Sequence, residues 1–193
     1  QTFVAQDINN PANRGSFDLT PQGFHGMFKH DGQWVFIDPE MRNGSGSYVA
    51  YYSKNAQALS TRKADIVLKN LPNNSFEIAA KAAFSTRPVL GDTLRTYRLA
   101  VSASAEYTAF HGGTVSGALA AINTLVSRIN EVYQRDLSVR FELVADTDQV
   151  IYTNAVRDPF GNTSEDAYEN PAVLDGVIGQ NNYDIGHVVN TGG

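Results

Sequence analysis

The longest regular pattern in this sequence is an amphipathic helix predicted over residues 114–135, TVSGALAAINTLVSRINEVYQR. Apolar side chains recur there at steps of three and four residues, which is the spacing of one helical face; they are Val115, Leu119, Ile122, Val126, Ile129 and Tyr133. Thr114 is suited to cap the first turn, and Arg128 and Arg135 lie toward the end where cations complement the helix dipole. We therefore expect a long helix with one buried face.

Two short apolar runs flank this helix, at residues 94–103 and 137–146. Both alternate partly between apolar and polar side chains, as strands do. Strand, helix and strand in succession form a βαβ unit, for which a right-handed parallel crossover is the rule. The second half of the chain is therefore predicted to be an α/β layer.

The first ninety residues are predicted to be β-rich. Strands are expected at residues 23–29, 33–38 and 48–53, and Asp31-Gly32 between the first two is a hairpin signal. A turn is expected at residues 43–47. Residues 56–70 and 76–84 remain open between helix and strand, and the polar stretch 85–93 is typical of a linker. We place a boundary near Gly91, which gives two parts, residues 1–90 and 91–193.

The C-terminal stretch is predicted to add three elements. A strand is expected at residues 149–153, followed by a long polar loop at 154–170. A helix is expected to begin at Pro171 with Asn170 as its cap. Residues 183–190 form the last strand. The predicted fold class is α/β, or α+β overall, with a β-rich module followed by a mostly parallel twisted sheet and two helices.

Composition excludes several classes of protein. The formal net charge is −5 and the basic residues are scattered, which argues against binding to nucleic acid or to an acidic membrane surface. No apolar run approaches the roughly 20 residues that cross a bilayer. The chain has no cysteine, so disulfides, thiol nucleophiles and cysteine zinc sites are excluded, while the compartment stays open.

The residues alone provide little catalytic chemistry. None of the four histidines, His25, His30, His111 and His187, has another His or Glu at the spacing that puts two zinc ligands on one helical face. A hydrogen-bonded histidine in a loop or strand is the favoured interpretation. Asp146 and Asp148 could pair as carboxylates, and the acidic loop 158–169 could bind calcium. Neither matches a calcium-binding loop, so a solvated loop is favoured.

Two long segments carry a family resemblance. Residues 95–153, from RTYRLAVSASAEYTAFHGG to TDQVIYT, and residues 182–193, NYDIGHVVNTGG, resemble the N-terminal part of the catalytic domain of secreted bacterial reprolysin-like (adamalysin-like) metalloproteases of the metzincin clan. Residues 23–41, GFHGMFKHDGQWVFIDPEM, with 48–53, YVAYYS, look like the end of the preceding pro-segment. The resemblance implies a secreted zinc endopeptidase, extracellular or periplasmic, made as a zymogen and acting on proteins or peptides.

The departure from the family pattern matters as much as the match. The family's zinc helix carries H-E-x-x-H-x-x-G-x-x-H, and this sequence does not contain it. His187 is followed by Val188 and Val189, so it does not fit that motif. We therefore predict no catalytic, cofactor-binding or metal-binding residue in this chain, with zinc needed only by the parent enzyme. The chain is expected to be an inactive fragment; the alternative is a non-catalytic binding or inhibitory module on the same scaffold.

The resemblance also implies roles for a few other residues. Asp184 lies where some family members have a calcium ligand, but Arg98 takes the approximate place of its acidic partner, so calcium is not expected. His25 and Asp38 are candidates to mask the zinc of the parent enzyme, although a purely structural role is favoured for both. The strand at 183–190 is expected to pair with the remaining catalytic segment or with another chain.

Overall fold

The described part of the chain contains two separate β-sheets. The computed structural model describes residues 1–11, 13–41, 46–56 and 93–192. An antiparallel sheet is formed from the first part of the chain, and a parallel sheet flanked by helices from the second. This arrangement confirms the predicted α+β fold class.

The N-terminal sheet is a five-stranded antiparallel meander in the order β1-β2-β3-β4-β5. Its strands are β1 (Thr2–Gln6), β2 (Arg14–Thr20), β3 (Gly23–His30), β4 (Gln33–Pro39) and β5 (Tyr48–Tyr52). Asp31 and Gly32 join β3 to β4 with φ angles of 49° and 75°. Two positive φ angles are what a two-residue type I′ hairpin needs, which confirms the Asp-Gly prediction. The sequence reasoning missed β1 and β2.

The C-terminal sheet consists of three parallel strands in the order β7-β6-β8. They are β6 (Arg95–Ala103), β7 (Val139–Leu143) and β8 (Ile185–Val189). In the register of the sheet, Tyr97 of β6 lies beside Phe141 of β7, and Val101 lies beside His187 of β8. The parallel strands flanking the long helix confirm the predicted βαβ unit.

Three α-helices belong to this second half: α1 (Ala105–Phe110), α2 (Val115–Leu137) and α3 (Asp166–Val177). Helix α2 is the predicted long helix. The Thr114 side chain accepts a hydrogen bond from the Gly117 N–H, which confirms its role as N-cap, and the helix ends at Ser138 in the left-handed conformation. No helix in the described part of the chain is long and apolar enough to cross a membrane.

The parallel sheet lies between α2 and α3. Side chains that alternate along β6 enter two different cores, because successive residues of a strand point to opposite faces. Leu99, Val101 and Ala103 belong to the core that contains Ile122 and Val126 of α2. Ala100 belongs to the core that contains Leu174 and Ile178 of the α3 region.

Helix α2 is buried on a second side as well. Ala120, Thr124, Ser127 and Glu131 are buried and recur at helical spacing, on the side where α2 contacts β2 of the meander. The helix therefore has a second buried side, which packs against the N-terminal sheet, where the sequence predicted only one buried face. The predicted apolar face is not wholly covered, since Tyr133 is 39% exposed.

Two boundaries in the C-terminal stretch differ from the prediction. The strand expected at 149–153 is wrong: Ala145–Val150 is a 3-10 turn, and only Ile151 bridges to Ala103. The helix expected to begin at Pro171 begins at Asp166, so that Pro171 lies inside it. Asp166 is the first residue of the helix, and its Oδ2 accepts a hydrogen bond from the Thr163 N–H at 3.2 Å, whereas the N-cap residue Glu165 makes no side-chain capping bond.

Several predictions cannot be compared with the structure. The boundary near Gly91 lies outside the described residues, as does almost all of the undecided segments 56–70 and 76–84 and of the linker 85–93. Most of the turn expected at residues 43–47 also lies outside them.

Candidate functional site

The four histidines lie in four different places. His25 is on β3, with Nδ1 3.0 Å from Asp18 Oδ1, and His30 is at the end of the same strand with its side chain 59% exposed. His111 follows α1, and His187 lies on β8. Among the residues that the structure describes, no three His, Asp or Glu side chains are grouped so that they could hold a metal ion.

The acidic loop 158–169 contains a buried carboxylate. Asp166 is 1% exposed and accepts hydrogen bonds from the Gly161 N–H at 2.9 Å and from Asn190 Nδ2 at 2.6 Å. Because Asn190 follows β8, this carboxylate ties the loop to the end of the parallel sheet. The expectation of a solvated loop is therefore wrong at Asp166.

The neighbouring Asp158 is also held by the backbone. Its Oδ1 accepts from the Phe160 N–H at 2.9 Å, and its Oδ2 accepts from the Ala105 N–H at the start of α1. Burial raises the pKa of the Asp158 carboxyl above its ordinary value. Asp146 and Asp148, in contrast, are both exposed in the 3-10 turn, and Asp146 Oδ1 accepts from Gln149 Nε2.

Asp184, the candidate calcium ligand, is bound by Arg98. The two side chains form an ion pair with Nη2 of Arg98 2.7 Å from Oδ1 of Asp184. Hydrogen bonds from Arg98 lower the pKa of the Asp184 carboxyl to about 2. A cation of the same chain therefore already neutralises this carboxylate.

Polar side chains connect the meander to α2. Asp18 of β2 is 3% exposed, and its Oδ1 accepts a hydrogen bond from Thr124 Oγ1 of α2 at 2.8 Å. The same oxygen lies 3.0 Å from His25 Nδ1. Asp18 and Thr124 are 106 positions apart. No local sequence signal predicted this contact, because it exists only once the two halves pack together.

A second connection joins Arg128 of α2 to Asp38 of β4. The guanidinium forms an ion pair with the Asp38 carboxylate. The Cζ atom of Arg128 lies 5.2 Å from the centre of the Phe36 ring. Tyr51 on β5 donates to Asp38 Oδ2 at 2.8 Å. Burial and the hydrogen bond to this carboxylate raise the pKa of the Tyr51 hydroxyl.

His25 and Asp38 thus both have structural partners at the interface between the meander and α2. The turn between β2 and β3 makes a further contact: Gln22 Nε2 donates to the carbonyls of His111 and Gly117 at 3.3 and 3.2 Å. We call this set of contacts, made by Asp18, Gln22 and Asp38 with the α1–α2 region and supported by His25 through Asp18, the sheet–helix interface.

Comparison with known protein families gives the identity of the second half. Residues 93–193, just over half of the chain, match the family described as metallo-peptidase family M12B, reprolysin-like. The chain belongs to this family. A search of curated proteins found no match.

The M12B family is generally zinc-dependent, so we asked whether the residues present fit a zinc site. A protein zinc site needs three or four N, O or S ligands in tetrahedral arrangement. The described part of this M12B chain offers no such group, since its histidines are dispersed, Asp158 and Asp166 are bound to backbone N–H groups, and Asp18 is bound to Thr124 and His25. The described residues therefore do not fit zinc, and we derive no catalytic step for them.

Proposed function

We propose that this chain supplies the scaffold of a secreted, zinc-dependent endopeptidase that hydrolyses peptide bonds in proteins or peptides. The M12B match over residues 93–193 carries the proposal. The parallel sheet with α2 and α3 supports it, because the match spans these elements. In this proposal the zinc ligands and the general base are supplied from outside the 193 residues.

The proposal assigns separate roles to the two halves. The meander belongs to a pro-segment module, residues 1–90, and residues 91–193 form the N-terminal part of the catalytic domain. The sheet–helix interface supports this division, because the contacts that define it are hydrogen bonds and an ion pair. Interfaces between separable parts of a chain are more polar than obligate ones. Such an arrangement suits a segment that helps the enzyme fold and stays attached until it is removed.

The strand β8 is the proposed junction to the remaining catalytic segment. In the described part of the sheet, β8 pairs with β6 on one side and is an edge strand on the other. An edge strand presents unpaired backbone groups to a further strand. We propose that the remaining catalytic segment, or another chain, pairs with residues 183–190.

A binding or inhibitory module on the same scaffold is the second candidate. The absence of the H-E-x-x-H pattern from the sequence favours it. Such a module would bind a partner through the meander or the sheet edges without hydrolysing it.

The two candidates predict different results for zinc content and casein hydrolysis. The 193-residue chain is expected to hydrolyse no casein and to retain no stoichiometric zinc after dialysis. The same chain extended along its gene should contain an H-E-x-x-H helix, bind one zinc and hydrolyse casein. Extended protein that lacks this motif and stays inactive would refute the peptidase proposal and favour the binding module.

A further inference from the structure

In the described part of the chain no strand pairs with the outer edge of β7, and one side chain of α2 bonds to this edge. Asn130 Nδ2 donates to the Phe141 carbonyl at 2.8 Å, and Asn130 Oδ1 accepts from the Phe141 N–H at 2.7 Å. One amide thus satisfies both backbone groups of one strand residue, as the backbone of a neighbouring strand would. The Asn130 amide therefore lies where the backbone of a strand paired with β7 would lie.

The backbone geometry defines which residues face this open edge. Ser138 accepts from the Arg95 N–H of β6, and the Val144 N–H donates to Leu99 of β6. Alternate residues of a strand direct their backbone groups to opposite sides. Arg140 and Glu142 therefore face β6, whereas Val139, Phe141 and Leu143 direct their N–H and C=O groups outward.

We propose that β7 is a self-association edge, at which two copies of this chain join their parallel sheets by antiparallel pairing of Val139–Leu143 about a two-fold axis at Phe141. The pairing places the two Phe141 residues opposite each other as a hydrogen-bonded pair, because both backbone groups of this residue face outward. Val139 of each copy then lies opposite Leu143 of the other. The contact is the same patch on both copies, as two-fold symmetry requires.

The charges along β7 match this arrangement. Centring the pairing on Phe141 places Arg140 of each copy directly opposite Glu142 of the other. Opposite charges in directly opposed positions stabilise an antiparallel pair. The sequence VRFEL is therefore complementary to itself in this one register.

The ion pair that these two charges form within one copy is weak. Arg140 Nε lies 3.3 Å from Glu142 Oε1, and the two side chains are 48% and 58% exposed. An exposed ion pair of this kind contributes little to stability, so the two charges can exchange partners at small cost. A groove of about 320 Å³, lined in part by Asn130, Phe141 and Leu143, runs along the same edge.

A second strand can pair at Phe141 only after the Asn130 amide has released the Phe141 N–H and C=O groups. In the single copy this amide competes with the second strand for Phe141, so association of the native chain is weak. Replacing Asn130 by alanine leaves the Phe141 N–H and C=O without their side-chain partner. We expect Asn130→Ala to lower the dissociation constant of the dimer about tenfold or more, because two hydrogen bonds no longer oppose pairing.

Sedimentation equilibrium over a concentration series of the full 193-residue chain measures this constant. Arg140→Glu and Glu142→Arg each place like charges opposite one another and should weaken the dimer about tenfold. The double exchange Arg140→Glu with Glu142→Arg restores both opposite pairs and should restore association. Arg157→Glu, an equal charge change at an exposed loop residue, is the matched control and should leave association unchanged.

Each outcome supports or overturns the proposed pairing. Recovery of dimerisation by the double exchange supports the proposed register. Loss of association in the control as well, or failure of the double exchange to restore it, overturns the register. If Asn130→Ala remains monomeric at every concentration and the charge variants behave as the control does, β7 is not a self-association edge. Circular dichroism of each variant verifies its fold. If Asn130→Ala is unfolded, the exposed charge variants at Arg140 and Glu142 still test the proposed pairing.

Discussion

The guanidinium of Arg98 binds both carboxylate oxygens of Asp184, with Nε 3.2 Å from Oδ2 and Nη2 2.7 Å from Oδ1. The Arg98 backbone N–H adds a third bond to Oδ2 at 2.8 Å, and Nη1 donates to the carbonyl of Asn181 at 2.8 Å. Carboxylate and carbonyl oxygens are also the ligands of calcium sites. Here Arg98 of β6 binds the oxygens of Asp184 and Asn181, and it thereby links β6 to Asp184, the residue that precedes β8.

We predict that Asp184→Asn destabilises the protein at neutral pH but not in strong acid. The pKa of Asp184 is lowered from 3.8 to about 2 in the folded chain. A lowered carboxyl pKa stabilises the fold above the unfolded value and loses this contribution as the pH falls through the folded value. The melting temperature of the variant should therefore lie furthest below that of the native chain above about pH 4, and the difference should become small as the pH falls to about 2.

The control for this prediction is Asp31→Asn. The Asp31 side chain is 89% exposed, and asparagine also tolerates the positive φ angle of 49° at this position. A pH-independent difference for Asp184→Asn would contradict the role of the ionised carboxylate.

Calcium is predicted to leave stability unchanged. Because Arg98 neutralises Asp184 and also binds the Asn181 carbonyl, a calcium ion would have to displace a cation that is covalently part of the chain. Melting curves with excess calcium chloride and with EDTA should coincide. A rise in the melting temperature that saturates with calcium would contradict this prediction.

Two threonine-to-valine changes should affect the free energy of unfolding differently. Thr124 Oγ1 donates to the buried Asp18, so Thr124→Val leaves a buried carboxylate short of one donor and should cost about 1–3 kcal/mol. Thr108 is fully buried, but its Oγ1 has no hydrogen-bond partner in the described structure. Thr108→Val should therefore be neutral or stabilising. Urea unfolding measures both, and equal losses would show that the Asp18 contact contributes nothing specific.

The sequence was informative where the signal is local. The apolar period of α2, its Thr114 cap and the Asp31-Gly32 turn each depend on neighbours within a few residues, and all three are present in the structure. The α/β character of the second half followed from the same local patterns.

Contacts between distant segments were not predictable in this way. The second buried side of α2 consists of small and polar side chains such as Thr124 and Ser127, which do not form a hydrophobic stripe. Pro171 suggests a helix start because proline is frequent there. The helix begins five residues earlier, at Asp166, and it tolerates the proline in its interior. Of the candidate site, the sequence indicated the lack of a zinc motif and the proximity of Arg98 to Asp184, but not the contacts of Asp18, Asp38 or Asp166.

Asp166→Ala is predicted to be among the most destabilising changes at the start of α3. The buried carboxylate accepts from two backbone N–H groups and from Asn190, so the variant removes three hydrogen bonds, although Asn190 Nδ2 keeps its bond to the Thr163 carbonyl. We expect a loss of about 2–4 kcal/mol in the free energy of unfolding. Glu169→Ala changes an exposed residue of the same helix and should lie within about 0.5 kcal/mol of the native chain. Similar losses for both variants would contradict the proposed role of Asp166.

The packing of α3 on β8 depends on the absence of a side chain at Gly186. A Cβ atom at this position would lie 2.5 Å from Leu174 Cδ1, and Leu174 is fully buried. Gly186→Ala should therefore cost about 1–3 kcal/mol through overpacking. At Gly176, within α3, a Cβ atom would meet no other atom within 4 Å. Gly176→Ala should therefore stabilise the protein by about 0.5–1 kcal/mol, because alanine has the higher helix propensity.

A double-mutant cycle identifies the contact responsible for that loss. Leu174→Ala removes the atom that an alanine at position 186 would strike, so Gly186→Ala should cost much less in the Leu174→Ala background than in the native chain. Urea unfolding of the four proteins gives the coupling free energy. An equal cost in both backgrounds would mean that the loss arises elsewhere, for example in the pairing of β8 with β6, and that α3 does not require a glycine beneath Leu174.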